Sequence, residues 1–432
     1  MGDSTSGLPR FSADESFAQC LDGDDPLAAY RDRFLIPTGA NGRHIHYLAG
    51  NSLGLQPRTV RGYVDRILKD WAERAVDGHF QGDLPWYPFH EMFRDCGARL
   101  VGATPGEVVV MNSLTVNLHL MMVSFYRPTR QRYKILIEDP AFPSDSYAVQ
   151  TQARFHGHDP KDGLVIARPR AGQRVLSHDD IEELLGREGE QIALVMLSGV
   201  NFVTGQVLDM ARITRAAKRH GCAVGFDLAH AAGNVPLHLH DWDVDFAVWC
   251  NYKYLNSGPG AVGACFVHQR HHAAVDLPRF AGWWGNDPAT RFRMQLETQF
   301  VPRISAEGWQ VSNPPILAMA PVKASYDIFD EVGMDALRVK SQTLTAYMQF
   351  LLDELADSSF DVITPRVTDQ RGCQLSLALH RRSRELLDLL HTEGVVCDFR
   401  EPNIIRAAPV PLYNSFYDVW AFVNTLSKLL RR

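Results

Sequence analysis

The sequence GFDLAHAAGNVPLHLHDWDVDFAVWCNYK, residues 225–253, decides the fold of this chain. Two short apolar runs, Ala223 to Asp227 and Ala247 to Cys250, are typical of buried strands. The first run ends in Asp227 itself, and Lys253 follows the second among Gly- and Pro-rich turns. Because neighbouring strands of an α/β sheet present their carboxyl ends at one edge, we predict that Asp227 and Lys253 lie close together there.

Asp227 and Lys253 are the two residue types that hold pyridoxal 5'-phosphate in many enzymes. A lysine amine can form a Schiff base with the cofactor aldehyde, and a carboxylate can keep the pyridine nitrogen protonated as an electron sink. An ordinary acid after a strand and a surface lysine would give the same pattern, because motif matches are hypotheses. These two residues alone therefore leave the cofactor assignment open.

Length and composition limit the class of protein. A chain of 432 residues with 45% hydrophobic content can bury a large core, and we expect one large and one smaller domain. The net charge of -6 argues against nucleic acid or an anionic membrane and favours small-molecule partners. The seven cysteines include no CxxC pair, so we interpret them as reduced thiols of a cytoplasmic protein. The histidines lack ligand spacing, and we predict no metal.

The amino terminus carries no export signal that we can recognise. It is polar and acidic, and no apolar run approaches the ~18 residues of a membrane span. We therefore predict a cytoplasmic location, with a disordered stretch from Met1 to about Phe11. The remaining chain alternates strands and helices, as in the strand Ile192 to Leu197 and the helix Ala211 to His220. Such alternation predicts a mostly parallel sheet covered on both faces, with ligands at its carboxyl edge.

Several turns after predicted strands carry candidate binding residues. Ser113 and Thr115 begin an apolar helix whose free N–H groups suit a phosphate, although helix capping explains the same residues. Phe142 could stack on an aromatic ring, with Asp145 beside it. The turn that contains Asn51 allows close backbone approach to a ligand, but an ordinary loop fits equally well.

Nine stretches, in order, carry a resemblance to a known family. They are YLAGNSLGLQP (47–57), NSLTVNLHLMM (112–122), FPSD (142–145), SGVNFVTGQ (198–206), the 225–260 region, GWWG (282–285), SNPPI (312–316), RGCQLSL (371–377) and APVPLYNSFYDV (408–419). The chain is similar to the kynureninases, fold-type I pyridoxal-phosphate enzymes, from about Tyr47 to Phe422. The resemblance implies an α/β fold with a mostly parallel seven-stranded sheet in a large domain, residues 41–330. A smaller C-terminal α+β domain, 331–432, and an N-terminal segment, 1–40, packing on it would complete the chain.

The resemblance also implies roles for individual residues in holding the cofactor. Lys253 would be the Schiff-base lysine and proton shuttle, Asp227 would pair with the pyridine nitrogen, and His230 would support that pairing. Phe142 would stack on the cofactor ring. Further cofactor contacts would come from Leu114, Thr115, Pro143, Ser144, Asp145, Ser198 and Tyr252, and, from the partner subunit of a homodimer, from Trp283 and Asn313.

Arg406 is implied as the residue that binds the substrate carboxylate. It is the only basic residue between Ile404 and Leu412, and a charge among apolar neighbours needs a partner. An internal ion pair with an acid such as Glu401 is the alternative. The other implied substrate contacts are Asn51, Ser52, His79 and Asn313.

The family reaction is the hydrolysis of L-kynurenine to anthranilate and L-alanine in tryptophan catabolism, with NAD biosynthesis as further context. Tyr252 is the candidate proton donor. Acceptance of 3-hydroxykynurenine is left open, because the stretch around His79 and Trp86 matches less regularly. Another fold-type I enzyme, a cysteine desulfurase or an aminotransferase, and a non-catalytic protein are the alternatives. A desulfurase would need a mobile cysteine, whereas Cys373 lies in a strand pattern.

Overall fold

A computed structural model describes residues 10–39, 42–297, 299–381 and 383–431. Most of the stretch predicted to be disordered, Met1 to about Phe11, lies outside these residues. Phe11 itself is described, and its ring packs 5.4 Å from that of Tyr347 and 5.7 Å from that of Phe350, centroid to centroid. The prediction of disorder was therefore wrong for Phe11, because the apolar ring finds a partner in a distant helix.

The described residues form thirteen strands and twelve α-helices. The strands are β1 His46–Tyr47, β2 Val108–Val110, β3 Lys134–Glu138, β4 Leu164–Ala167, β5 Ile192–Ser198, β6 Ala223–Asp227, β7 Phe246–Trp249, β8 Ala264–Val267, β9 Phe360–Val362, β10 Leu375–Leu379, β11 Val395–Val396, β12 Asp398–Arg400 and β13 Ile404–Ala407. The helices are α1 Glu15–Gly23, α2 Val60–Arg74, α3 Arg94–Val101, α4 Leu114–Phe125, α5 Pro143–Phe155, α6 Pro160–Gly163, α7 His178–Glu188, α8 Met210–Arg219, α9 Ile316–Val332, α10 Met334–Leu355, α11 Ser383–Thr392 and α12 Phe416–Leu430.

The central element is a seven-stranded sheet of order β2-β8-β7-β6-β5-β3-β4. Its strands β4, β3, β5, β6 and β7 run parallel, and β8 is antiparallel to both of its neighbours. The predicted mostly parallel seven-stranded sheet is confirmed. Parallel strands are usually covered on both faces, and β5 packs Val195 and Leu197 into one core and Leu194 and Met196 into another.

A glycine in β6, Gly225, makes room for the ring of its register partner Phe246 in β7. A Cβ on Gly225 would lie 2.1 Å from Cζ of Phe246, so no larger residue fits without displacing that ring. The register pairs Asp227 with Val248, close to the end of β7. Lys253 follows four residues after Trp249, and the decisive stretch thus folds as the sequence predicted.

A second, antiparallel sheet of order β12-β13-β10-β9 lies in the C-terminal part of the chain. Its buried leucines pack against α10 and α12 in a separate core. Helix α12 begins with a capping box, in which Ser415 Oγ accepts from the N–H of Asp418 and Asp418 accepts from the N–H of Ser415. Helix α1 packs on α12. Of the helices that the structure describes, none is long and apolar enough to cross a bilayer.

The sequence also predicts a helical pattern from Asp14 to Phe34 and an apolar strand from Gly260 to Val267, and the structure differs from both. The helical pattern from Asp14 to Phe34 is interrupted, because α1 ends at Gly23 and a 3₁₀ turn covers Ala28–Arg33. The strand predicted from Gly260 begins only at Ala264, since Gly260 adopts a left-handed φ of 71° that a strand does not allow.

Candidate active site

The carboxyl ends of β5 and β6 place Ser198 and Asp227 side by side, as partners in the strand register. The loop after β7 brings Lys253 to the same edge, and the loop after β3 brings Phe142 and Asp145 at the start of α5. These turns surround one cavity of about 490 Å³, including its mouth. It is lined by Leu114, Thr115, Phe142, Ser144, Asp145, Ser198, Val200, Phe202, Asp227, Ala229, His230, Tyr252 and Lys253. Ten of the sequence-predicted residues therefore meet in one place.

Lys253 lies in this cavity with little contact to solvent. Its side chain is buried, and Nζ lies 3.2 Å from Nε2 of His230 and 5.5 Å from the ring centre of Phe142. Burial, together with the charge of Lys253, lowers the pKa of His230 well below its usual value. The imidazole is therefore neutral, and its Nε2 accepts a hydrogen bond from the lysine amine.

Asp227 and Asp145 form a pair of buried carboxyl groups beside Lys253. Asp227 Oδ1 accepts a hydrogen bond of 2.7 Å from the N–H of Ala229. Burial, and next the negative charge of Asp227, raise the pKa of Asp145 well above its usual value. Two like charges this close are disfavoured, which favours the protonated form of Asp145.

Two helices begin at the cavity. Ser113 caps α4 without a side-chain hydrogen bond to the helix, and α5 starts at Pro143. The hydroxyls of Thr115 and Ser144, one from each first turn, lie 2.8 Å apart. Backbone N–H groups and the helix dipoles favour an anion at such a place, in keeping with a phosphate group.

Three buried polar atoms that face the cavity have no hydrogen-bond partner among the described residues. They are Asp145 Oδ1, Ser198 Oγ and His230 Nδ1. Leaving buried polar atoms unpaired is costly, which indicates a polar ligand that completes them. Together with the ring of Phe142 and the two helix termini, they fit pyridoxal phosphate, which has an aromatic ring, a phosphate and polar ring substituents.

Tyr252 lines the cavity with a half-buried side chain. Burial raises the pKa of its hydroxyl above the usual value, and the neighbouring Cys250 adds to the shift. The phenol therefore keeps its proton at neutral pH and can donate it.

The remaining predicted residues do not line this cavity, among those that the structure describes. Asn51 is fully buried and donates to Gln374 Oε1 at 2.9 Å, and Ser52 is half-buried in the adjoining turn. Pro143 is exposed at the start of α5. The predicted roles of these three residues stay predictions.

Three further predicted residues lie elsewhere on the chain. The ring of His79 contacts Trp86 at 5.2 Å, and Trp283 contacts Trp284 at 4.8 Å, both between ring centres. Asn313 lines a separate, largely apolar groove with Trp86. Their predicted roles with cofactor and substrate stay predictions, and those of Trp283 and Asn313 depend on a second subunit.

Arg406 is wholly buried and ion-paired. Its Nη2 lies 2.6 Å from Asp398 Oδ1, its Nε donates to the same oxygen at 2.9 Å, and its Nη1 donates to the carbonyl of Phe202 at 2.6 Å. The sequence suggested Glu401 as the alternative partner, but Glu401 pairs with Arg384. Asp398 was missed because only the antiparallel pairing of β12 with β13 brings it opposite Arg406.

Sequence reasoning also missed Val200, Phe202 and Ala229 as cavity residues. Phe202 contacts the ring of Phe142 edge-on, with 5.3 Å between the ring centres. Its position in the quoted stretch SGVNFVTGQ was the available signal, but an aromatic residue in a loop does not reveal where it points.

The structure bears on the desulfurase alternative and on the spacing of possible metal ligands. Cys373, the candidate cysteine of a desulfurase, is fully buried, and burial raises the pKa of its thiol to about 12. Such a thiol is not a reactive nucleophile. The chain also brings His240 and His268 near Glu107, which the sequence spacing did not reveal. Glu107 there accepts hydrogen bonds from the N–H groups of Thr104 and Gln269.

The fold and the cavity define a fold-type I pyridoxal-phosphate-dependent enzyme. A solved cysteine desulfurase from Thermococcus onnurineus NA1 shares the fold, with a TM-score of 0.73 and 18% identity over 90% of this chain and 95% of that chain.

Sequence relatives identify the family within this class. A Koribacter versatilis protein named Kynureninase is 55% identical over 414 residues, covering 96% of this chain and 97% of that protein. A Myxococcus xanthus protein of the same name is 56% identical over 416 residues, covering 96% and 97%. The family described as the kynureninase C-terminal domain matches residues 337–426. The chain belongs to the kynureninase family, whose members are pyridoxal-phosphate-dependent hydrolases.

Proposed function

We propose that this protein hydrolyses L-kynurenine to anthranilate and L-alanine, with pyridoxal phosphate bound at Lys253. The observation that carries the proposal is the position of one amine, Lys253 Nζ, in a cavity that also holds Asp227, Asp145 and the ring of Phe142. Full-length similarity to kynureninases supports the choice of substrate.

Lys253 handles protons at the substrate, and His230 orients its amine. Bound pyridoxal phosphate supplies an electron sink that stabilises negative charge on the substrate carbons next to it. Lys253 removes and returns protons there, since it is the only lysine among the described residues that line the cavity. His230 stays neutral and orients the amine through the 3.2 Å contact without holding a proton that the amine needs.

Asp227 and the helix termini hold the cofactor. The charged carboxylate of Asp227 would pair with the protonated ring nitrogen, while Phe142 packs on the ring. Thr115, Ser144 and the first N–H groups of α4 and α5 would bind the phosphate. Leu114, Asp145 and Ser198 complete the wall, and Pro143 sets the start of α5.

Tyr252 acts as proton donor in the bond-breaking half of the reaction. Water adds to the side-chain ketone of the substrate, and the carbon–carbon bond between the β and γ positions then breaks. The acyl part leaves as anthranilate, and the electrons of the broken bond remain on the β-carbon of the alanine part. Since burial keeps the Tyr252 phenol protonated, it can donate its proton to that carbon.

Arg406 binds the α-carboxylate of the substrate through its guanidinium, which is shaped for a two-pronged bond. Its contact with the carbonyl of Phe202, a cavity residue, supports a position close to the substrate. The ion pair with Asp398 means that the guanidinium would be shared between two carboxylates. Asn51, Ser52 and His79 are proposed to contact the substrate from the neighbouring loops.

The active unit is a homodimer with shared sites. Phe292, Leu296 and Ile304 are 57%, 71% and 73% exposed, and clusters of exposed apolar side chains mark protein interfaces. A second copy of the chain would cover them. Trp283, whose ring lies 6.4 Å from that of Phe292, and Asn313 would then reach the partner's cavity.

The domain limits at residues 40 and 330, a cytoplasmic location and a place in tryptophan catabolism and NAD biosynthesis complete the proposal. The 3-hydroxy form of kynurenine is a second proposed substrate, with 3-hydroxyanthranilate as its product.

The test is a product assay with purified protein and L-kynurenine. The proposal expects anthranilate, followed by its fluorescence, and L-alanine in equal amounts. Kynurenine consumption without anthranilate would refute it, as would equal turnover by protein that lacks pyridoxal phosphate.

A further inference from the structure

A third carboxyl group, Glu138, lies behind the wall of the cavity. It ends β3 and is only 4% exposed, and Asp145 and Asp227 are each 5% exposed. The three acids come from β3, α5 and β6 and gather at the carboxyl edge of the sheet. Lys253 is the only lysine or arginine among the described residues that line the cavity, so three full negative charges would not be balanced.

Glu138 makes a specific contact between neighbouring strands. Its Oε1 accepts a hydrogen bond of 3.1 Å from the N–H of Ser198, at the end of β5. Ser198 is in turn the register partner of Asp227, and the N–H of Gly199 donates to the Asp227 carbonyl at 2.8 Å. The contact thus connects β3, through β5, to the strand that presents Asp227.

The charges around Glu138 favour its protonated form. Burial raises its pKa to about 7, the bonds from Ser198 oppose this, and the negative charge of Asp227 adds to it. Burial likewise raises the pKa of Asp145 and lowers the pKa of His230, which favours the uncharged form of both side chains. On the solvent side, Arg168 pairs with Asp139, the residue after Glu138.

We propose that Glu138 is a positioning residue, which holds Ser198 and, through it, Asp227 at the cofactor cavity and does so as an uncharged carboxylic acid. An uncharged Glu138 does not compete with Asp227 for the ring nitrogen of the cofactor. This inference rests on the proposed cofactor site but not on the identity of the substrate.

The first test measures cofactor affinity by absorbance titration of the cofactor-free protein with pyridoxal phosphate. Glu138→Gln is an isosteric neutral variant that keeps the oxygen acceptor, whereas Glu138→Leu has a similar size and leaves the Ser198 N–H unpaired. We expect Glu138→Gln to bind within about 2-fold of the wild type and Glu138→Leu at least about 10-fold more weakly, or about 1.4 kcal/mol. Equal weakening in both variants would overturn the proposal, because it would show that the charge is needed.

The second test measures thermal unfolding of the cofactor-free protein over a series of pH values. A purely structural role of Glu138 would not make the stability difference between wild type and Glu138→Gln depend on pH. A raised carboxyl pKa means that the folded protein holds a proton that the unfolded chain loses above about pH 4.5. The stability of the wild type relative to Glu138→Gln should therefore fall as the pH rises from about 4.5 to about 7 and then stay level. A difference that is constant over this range would overturn the proposal. Both readouts are independent of kynurenine turnover, so a failed product assay with intact cofactor effects would count against the substrate alone.

Discussion

At the residue scale, the chemistry depends on an amine and an imidazole that lie 3.2 Å apart inside a largely buried cavity. The neutral imidazole accepts a hydrogen bond from Lys253, and the carboxylate of Asp227 lies on the same sheet edge. The sequence spacing predicted that Asp227 and Lys253 share this edge, but it could not give the contact of Lys253 with His230, which depends on where the turns after β6 and β7 place their side chains.

Replacing Lys253 by Ala should abolish turnover, because the change removes the cofactor anchor and the proton shuttle together. Loss of general acid–base help alone costs about 10²-fold to 10⁴-fold in rate, and the combined loss should exceed it. Steady-state kinetics and a thermal unfolding curve measure the two effects. Lys161→Ala, at an exposed lysine of α6, is the matched control and should behave as the wild type. Substantial activity in Lys253→Ala would contradict the assignment.

Replacing Arg406 by Lys should lower kcat/KM for kynurenine by about 10²-fold or more, since the change keeps the charge but loses the planar fork. Cofactor affinity should be unchanged. Asp398→Asn is the matched variant, because it removes the ion-pair partner and leaves the guanidinium. If the arginine binds substrate, Asp398→Asn should retain much more activity than Arg406→Lys. If both variants lose stability equally while both remain active, the arginine is structural.

At the element scale, the five parallel strands of the large sheet follow the apolar runs of the sequence, and α12 follows the apolar helical pattern from Phe416 to Leu430. These elements were predictable because buried positions require apolar residues. A strand buried on both faces gives a continuous apolar run, and a helix buried on one face gives apolar residues at helical spacing. The antiparallel direction of β8 was not, because it depends on where the chain crosses the sheet. The same reason explains why the Asp398–Arg406 pair was missed.

The amino-terminal edge of the sheet is held by Asp245, which is 4% exposed. It accepts hydrogen bonds from the N–H of Val224 at 2.8 Å, from Lys218 Nζ at 2.5 Å and from His271 Nε2 at 2.8 Å. Burial alone would raise the pKa of this carboxyl, but His271, Lys218 and Arg270 together hold it well below its usual value.

Asp245→Asn should therefore lower the free energy of unfolding by about 1.5–3 kcal/mol at neutral pH, since it removes a buried carboxylate that accepts charge-assisted hydrogen bonds from half-buried partners. A depressed carboxyl pKa contributes stability above its unfolded value and loses it as the pH falls. The difference between wild type and variant should accordingly shrink below about pH 4. Denaturant unfolding across this range measures it, and a difference independent of pH would contradict the electrostatic explanation.

At the scale of the whole molecule, the single chain holds the lysine, the acids and the helix termini, while Trp283 and Asn313 lie outside the cavity. The sequence indicated the fold and most of the wall through its motifs. The sequence could not show which of the predicted residues line the cavity of their own chain. A motif does not reveal whether its residues contact the site of their own chain or that of a second subunit.

The homodimer is testable by complementation. Lys253→Ala and Trp283→Ala chains, each inactive alone, should regain activity when they are dissociated and reassembled together. Random pairing makes half of the dimers hybrid, each with one intact site, so about a quarter of the wild-type activity is expected. Sedimentation confirms the assembly state. Full activity in a proven monomer would contradict the shared site.

The central claim is that Lys253, in this cavity, carries the cofactor. Borohydride reduction of the purified holoenzyme, followed by proteolysis and mass spectrometry of the peptides, tests it directly, because reduction makes the link between lysine and cofactor permanent. The account predicts the cofactor mass on the peptide that contains Lys253 and on no other peptide, with none in Lys253→Ala. The cofactor mass on a different lysine, or its absence from an active preparation, would contradict the account.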